Sequence, residues 1–170
     1  AARDSASASE VAQPGPMLGP WDAEEVAIDV VVVSSGDGLE KVFRSLGASV
    51  VVPGGQTMNP STAQLLDAIG QVSSDQVIIL PNNKNVLMTA LQAAEVSTKD
   101  VVVVPTKTIP QGVSALLALD QQAELMDNVA AMSESATEVI TAEVTWATRD
   151  VALNGLDVRE GDAIGLLEGE

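Results

Sequence analysis

The 170-residue chain contains no cysteine, no histidine and no tyrosine, and only one phenylalanine. The first two absences exclude disulfides, zinc sites and catalysis by a thiol or an imidazole. The shortage of aromatic rings excludes the stacking platform that single-stranded nucleic acid needs. No apolar run reaches the ~20 residues of a membrane span. We therefore expect neither nucleic-acid binding nor an integral membrane segment.

Basic residues are also scarce: eight stand against 24 acidic residues, which gives a formal net charge of −16. A field of this sign repels nucleic acid and anionic membranes, so any anionic ligand must be held by a local arrangement of groups. The hydrophobic fraction of 46% and the charged fraction of 19% are typical of a folded globular protein. Residues 1–25 are typical of a flexible linker, and 26–170 are predicted to form a single α/β domain. Because residues 1–25 lack a hydrophobic signal core, we expect a cytoplasmic protein.

Four consecutive units along the chain each consist of a short apolar strand, a polar loop and an amphipathic helix. The strands are predicted at 27–33, 50–52, 76–80 and 100–104. The second helix is predicted to begin near Asn59, with Asn59 as the N-cap and Pro60 at the first helical position, and the third helix spans 84–96. The valine runs are continuous rather than alternating, and no hairpin signal separates the units. The sequence therefore predicts an α/β fold: a mostly parallel sheet of about four strands with helices on both faces.

Beyond the fourth unit the pattern changes. The sequence predicts a fifth helix, in which Met126 and Met132 are core residues. The stretch EVITAEVTW (residues 138–146) alternates apolar and polar side chains, which predicts a half-buried, antiparallel strand with Trp146 facing inward. A final short strand is predicted at 162–167, after an Asn-Gly turn. These strands make the carboxy-terminal antiparallel pair of the predicted fold.

The loops after the four strands are SSGDG, PGGQTMNPST, PNNKN and PTKTIPQG. In a parallel sheet such loops emerge together at the carboxyl ends of the strands, where open α/β sheets bind ligands. Two of the four lysines of the chain, Lys84 and Lys107, fall in these loops, and helix amino termini and glycine backbone also favour an anionic or polar ligand there. The candidate residues for binding a ligand or partner are Ser35, Gly36, Gly54, Gly55, Gln56, Thr57, Asn59, Asn82, Asn83, Lys84, Asn85, Thr106, Lys107, Thr108, Gln111 and Gly112.

The same residues have an ordinary structural interpretation, because Asn and Thr are common N-caps and Asn tolerates left-handed turns. The SSGDG loop resembles a shortened phosphate loop, but it lacks the third glycine of G-x-G-x-x-G and the Lys-Ser/Thr of a P-loop. The acidic residues between 157 and 162 lack the calcium-loop pattern. We predict no catalytic residue and no metal ligand, and the loops are either a binding surface or a set of caps.

Three of these loops, GGQTMNPST, ILPNNKN and PTKTIPQG, resemble in order and spacing the carboxy-terminal region of the catalytic subunit of bacterial fatty acid kinase, which is a dihydroxyacetone-kinase-like family. The resemblance covers residues 28–168. It implies a longer protein, with an amino-terminal ATP-binding domain similar to that of dihydroxyacetone kinases and a middle domain. It also implies a partner, a small fatty-acid-binding protein that presents an acyl carboxylate for phosphorylation and is docked with help from the carboxy-terminal region.

Other parts of the family pattern are absent from this chain. These are the Asp-rich magnesium motif of the nucleotide domain, the Cys/His metal ligands of the middle domain, and the distal half of the carboxy-terminal region with its Y-P-G-G-Q-P-like motif. We therefore expect a fragment of a larger kinase-like protein that holds no cofactor of its own. ATP and magnesium are expected on the missing amino-terminal domain.

Three functions follow as hypotheses. The first is a non-catalytic docking module that helps to present the fatty-acid-binding partner to the ATP-binding domain. The second is a small-molecule-binding or catalytic α/β domain for a phosphorylated or carboxylate ligand in the crevice at the carboxyl ends of the strands. In the third, the loops only pack against other domains of the parent chain.

Overall fold

The computed structural model describes residues 28–55, 58–153 and 156–167. The strands and helices in these residues are β1 (Asp29–Ser34), α1 (Asp37–Ser45), β2 (Val50–Pro53), α2 (Thr62–Gln71), β3 (Gln76–Leu80), α3 (Lys84–Val96), β4 (Asp100–Val103), α4 (Ile109–Leu117), α5 (Leu125–Thr137), β5 (Ala142–Trp146), β6 (Val151–Leu153), β7 (Leu156–Val158) and β8 (Ala163–Leu167). The predicted strand at 76–80 and helix at 84–96 are confirmed residue for residue. Among the described helices, none combines the length and apolar character that crossing a bilayer requires.

The first four strands form one parallel sheet in the order β2-β1-β3-β4. Its strands are short runs rich in Val and Ile, whose branched side chains pack well on a pleated surface. Every residue of β1 is buried, as expected of a central strand that is covered on both faces. The predicted mostly parallel sheet of about four strands is therefore confirmed.

Helices cover both faces of this sheet, and successive side chains of each strand enter two different cores. On one face, Val30, Val32, Ile78 and Leu80 pack with residues of α1, α4 and α5. On the other face, the intervening residues Val31, Val33, Val77 and Ile79 pack with residues of α2 and α3. This arrangement confirms the expected three layers, with the sheet in the middle.

The start of α2 differs from the prediction. Asn59 is not its N-cap and Pro60 is not its first residue, because the helix begins at Thr62 and is capped by Ser61. The Ser61 hydroxyl accepts a hydrogen bond from the backbone N–H of Gln64, and the Gln64 side chain accepts one from the N–H of Ser61 at 2.9 Å. This reciprocal pair satisfies two of the free N–H groups at the helix start, whereas Asn59 is exposed.

The helix α5 packs against α4 and returns the chain to the carboxyl ends of the strands. The hydroxyls of Ser114 on α4 and Ser135 on α5 lie 2.8 Å apart. Met132 is fully buried, as predicted, but the prediction that Met126 is a core residue is wrong, since its side chain is 64% exposed. The buried stripe of α5 runs through Leu125 and Met132, and Met126 lies one position away from it on the helix surface.

The last strands form two antiparallel pairs that do not join the main sheet. β5 pairs with β8, which confirms the predicted carboxy-terminal pair, and β6 pairs with β7. The predicted Asn-Gly turn at 154–155 lies outside the described residues. The prediction that β5 is half-buried with Trp146 inward is wrong: every residue of β5 is exposed, and Trp146 is 68% exposed. No other described element covers the side chains of β5.

Candidate functional site

The loops that follow β1 to β4 all leave the sheet at its carboxyl end. We call this region the loop edge, and it comprises residues 35–36, 54–55, 58–61, 81–83 and 104–108 with the first turns of the helices that follow. The chain steps outward from β1 to β2 on one side and from β3 to β4 on the other, so the strand order reverses between β1 and β3. Such a reversal is the usual ligand position in open α/β sheets. All described candidate residues lie at the loop edge, and Gln56 and Thr57 lie outside the described residues.

Asn82 lies at the centre of the loop edge, where it connects two loops and a strand by hydrogen bonds. Its backbone has a φ of 53°, in the left-handed region that Asn tolerates better than most residues. Its N–H donates to the Thr106 hydroxyl at 3.0 Å, and its side-chain Nδ2 donates to the carbonyl of Val33 at 3.1 Å. The residue is buried. Asn82 therefore joins the loop after β3 to the end of β1 and to the loop after β4.

Gly112, in the first turn of α4, supplies the space that the Asn82 side chain fills. A Cβ atom at position 112 would overlap the Asn82 carboxamide, so only glycine lets the helix approach so closely. The Oδ1 of Asn82 and the hydroxyl of Ser34 are buried without a hydrogen-bond partner among the described residues. Both oxygens are enclosed by protein, so neither belongs to the exposed surface of the loop edge.

Asn83 caps α3 and ties its start to the loop after β2. Its side-chain oxygen accepts from the N–H of Asn85 at 2.8 Å, and its Nδ2 donates to the carbonyl of Gly55 at 3.2 Å. Gly55 in turn lies against Ser35, since a Cβ at position 55 would be 3.0 Å from the Cβ of Ser35. Gly54 is packed in the same way between Val33 and the loop. The glycines of this loop therefore allow close packing between loops.

The loop after β4 is fixed by the cap of α4. The Thr108 hydroxyl accepts from the N–H of Gln111, and the Gln111 side chain accepts from the N–H of Lys107 at 2.8 Å. The Thr108 hydroxyl also lies 2.8 Å from that of Thr141, just before β5. Thr106, Thr108 and Gln111 are therefore occupied by structural hydrogen bonds, and the start of β5 is held beside the loop edge.

The side chains that remain available to a partner are those at the surface of the loop edge. They are those of Ser35, Asn59, Lys84, Asn85 and Lys107, and the backbone of Gly36 is exposed beside them. Lys84 and Lys107 are exposed, and neither forms an ion pair with a described residue. Lys99 is different, since its ammonium donates to the carbonyls of Val72 and Ser74 at the opposite end of the sheet.

The loop edge is less acidic than the chain as a whole. The first turns of α2, α3 and α4 contain no acidic residue, and α1 alone brings Asp37 and Glu40. Acidic residues are common in first turns because they interact favourably with the helix dipole. Because α2, α3 and α4 lack acidic residues in their first turns, the positive ends of three helices and two lysines lie at one edge of a chain whose net charge is −16.

The described depressions of the surface do not coincide with the loop edge. Two shallow depressions, with volumes of about 410 and 390 Å³, lie elsewhere, at the β6–β7 hairpin and on the outer face of α3. Within the described part of the chain, no group of three or more acidic side chains could hold a metal ion. The arrangement provides ammonium groups, helix N–H groups and hydroxyls, which can recognise carboxylate or phosphate oxygens.

The sequence places Ser34 in the SSGDG loop at this edge without marking it as a site residue, and it gives no sign that Thr141 belongs there. In the structure Ser34 is the last residue of β1, and Thr141 was hidden because it lies 33 residues from its partner Thr108. A glycine in the first turn of a predicted helix, as at Gly112, is the one local signal that close packing occurs here.

Comparison with known proteins gives a consistent set of matches. The sequence model of the FakA-like C-terminal family, which describes the C-terminal region of fatty acid kinase A-like subunits, matches residues 29–170. Protein YloV of Bacillus subtilis is 47% identical over 140 residues, which cover 82% of this chain and 25% of that protein. An uncharacterized protein of Staphylococcus epidermidis is 41% identical over 147 residues, covering 86% of this chain and 27% of that protein. The chain therefore spans about a quarter of the length of the curated relatives it matches.

Proposed function

Because the chain belongs to the FakA-like C-terminal family of fatty acid kinases, we propose that it is the docking domain of a fatty-acid-kinase-like protein. The loop edge binds a small fatty-acid-binding protein, which presents its acyl carboxylate to an ATP-binding domain elsewhere in the longer protein. ATP and magnesium are bound there, and this domain performs no chemistry. The observation that carries the proposal is the pair of exposed lysines at the loop edge, Lys84 and Lys107, which form no ion pair with a described residue.

The roles of the amides support a protein partner rather than a small ligand. A small-molecule site needs polar groups that converge on one point inside a concave pocket. Here the side chains of Asn82 and Asn83 are instead used to join loops. What is left at the surface is a set of exposed polar side chains and two lysines on different loops, which suits a protein interface with a charged rim.

The charge distribution gives the interface an orientation. Most of the surface repels an acidic partner, whereas the loop edge attracts its carboxylates, so a partner is steered towards Lys84 and Lys107. Complementary charges of this kind act mainly on the association rate and are screened by salt. Association should therefore be faster at low ionic strength and should slow as salt is added.

The test is to measure binding of the purified chain to a fatty-acid-loaded fatty-acid-binding protein by isothermal titration calorimetry. The double variant Lys84→Ala, Lys107→Ala should bind about tenfold more weakly, because each lysine contributes up to about 1 kcal/mol to an exposed charge pair. The matched control is Arg149→Ala, Arg159→Ala. It changes the net charge by the same amount but alters exposed residues on the β6–β7 side of the molecule.

The control should retain the affinity of the unaltered chain. Equal weakening by both pairs would mean that only the overall charge matters, and unchanged binding by the lysine variant would exclude docking through the loop edge. Circular dichroism checks that both variants are folded.

A small anion is the second candidate, and one observation favours it. α1 has no side-chain cap at its start, and the space beside Gly36 is open, so its free N–H groups can donate to phosphate or carboxylate oxygens, against the repulsion of Asp37 and Glu40 in the same turn. Binding at 100 times Kd would stabilise the fold by about 2.7 kcal/mol. A melting shift with inorganic phosphate that is lost in Lys84→Ala would favour this candidate over docking.

A further inference from the structure

One face of the β5–β8 pair is entirely apolar and exposed. In the antiparallel register Ala142 lies opposite Leu167, Val144 opposite Gly165, and Trp146 opposite Ala163, so their side chains share a face. We call it the ribbon face, and it consists of Ala142, Val144, Trp146, Ala163, Gly165 and Leu167. All six residues are exposed, Val144 to 81%. Single exposed apolar residues are ordinary, but a continuous apolar face of this kind marks an interaction surface.

The β5–β8 pair also lacks the support that a two-stranded sheet requires. Each strand has one neighbour among the described residues and therefore one open edge. A two-stranded pair is marginally stable by itself and needs a third strand or an apolar layer on one face. The opposite face carries Glu143 and Thr145 beside Leu166 and Ile164, which are half-buried. The ribbon face is thus where the missing layer would have to pack.

The size of the ribbon face decides between possible occupants. It has six residues, whereas each partner in a free-standing complex contributes about 20–30. A separate partner must offset its lost translational and rotational freedom, which so small a face does poorly. A segment of the same polypeptide is already held nearby at high effective concentration and incurs much less of this cost. A second copy is further disfavoured, because it would bring another −16 charges close.

The length of the relatives indicates where the covering segment comes from. The chain covers 25% and 27% of two relatives, which leaves about three quarters of those proteins outside the matched region. We propose that the ribbon face is an intramolecular interface, covered in the longer protein by an apolar layer from outside residues 1–170. This interface adjoins the loop edge at Thr141 but consists of different residues, so it does not depend on the proposed docking function.

The test compares the 170-residue chain with a longer protein of the family that contains these residues. Hydrogen exchange, followed by mass spectrometry, is measured for peptides of β5 and β8, and sedimentation gives the oligomeric state of both proteins. We expect these amides to exchange at least about 100-fold more slowly in the longer protein, while β1 and β3 are protected in both. Equal, fast exchange in both proteins would overturn the proposal.

Slow exchange in both proteins would overturn the proposal too. If the 170-residue chain is then a dimer, the face is covered by a second copy; if it is a monomer, the pair is held by residues already present in the chain.

Paired variants add an independent readout. Val144→Thr with Trp146→Thr keeps strand propensity and should lower the melting temperature of the longer protein by about 3 °C or more, but leave the 170-residue chain unchanged. Leu117→Gln with Met126→Gln is the matched control, since these side chains are 67% and 64% exposed on helices. An equal loss in both proteins for the ribbon variant would contradict an interface outside the chain.

Discussion

The parallel sheet and the β5–β8 pair are built from the same kinds of residues but have opposite surroundings. In the sheet, Val and Ile are covered by helices on both faces, and even the loops are joined by buried side chains. In the β5–β8 pair, valine, leucine and tryptophan are exposed. Alternation along a strand therefore identifies which residues share a face. Whether that face is covered depends on what else packs there.

The sheet and the β5–β8 pair should differ most in how much stability each loses when one side chain is truncated. Ile78→Ala, in the centre of β3, should cost about 3–4 kcal/mol of unfolding free energy, because it leaves a cavity between the sheet and the helices that cover it. Val144→Ala on the ribbon face should change the free energy by less than about 0.5 kcal/mol. Urea unfolding followed by circular dichroism measures both. A loss above about 1.5 kcal/mol for Val144→Ala would mean that the two regions share one core.

Two glycines, one packed at the loop edge and one on the exposed surface of a helix, should respond oppositely to the same substitution. Gly112→Ala should cost about 2–3 kcal/mol, because the added methyl group displaces the Asn82 carboxamide and its hydrogen bond to Val33. Gly70→Ala, in α2, meets open space and should stabilise the chain by about 0.5–1 kcal/mol. Thermal unfolding of the two variants is the measurement. If both behave alike, Gly112 does not hold Asn82 in place.

The smallest expected effect concerns the start of α2. Ser61→Ala should cost about 1 kcal/mol, because it removes the hydroxyl that accepts from Gln64. Asn59→Ala should stay within about 0.5 kcal/mol, since Asn59 is exposed and makes no cap. Chemical denaturation distinguishes the two. A reversed order would restore Asn59 as the cap and contradict the observed start of the helix.

The elements that could be predicted from sequence are those with local causes. The strand at 76–80 is an apolar run that ends at Pro81, and the helix at 84–96 begins after a good cap, so both bounds follow from neighbouring residues. The start of α2 could not be decided in this way, because Asn59 and Ser61 are both able to cap. The choice falls to Ser61, whose side chain and that of Gln64 cap each other.

The division of labour at the loop edge was equally hidden in the sequence. The run Asn82, Asn83 and Asn85 indicated a polar edge, but the acceptors of Asn82 and Asn83 are carbonyls 49 and 28 residues away. Only the folded arrangement shows that these amides face other loops, while Lys84 faces solvent. The sequence could therefore locate the edge and its charge, but not which of its side chains are free to bind.

The position of Trp146 determines what fluorescence reports about this protein. Trp146 is one of two tryptophans and lies on an exposed strand, while the two cores of the sheet contain none. With Trp21 replaced by phenylalanine, the emission of the 170-residue chain should resemble that of tryptophan in water and change little when the sheet unfolds. A shift to shorter wavelength would then signal that an apolar layer has covered the strand. The emission wavelength of Trp146 should therefore report whether the β5–β8 pair is covered, and it should respond little to unfolding of the sheet.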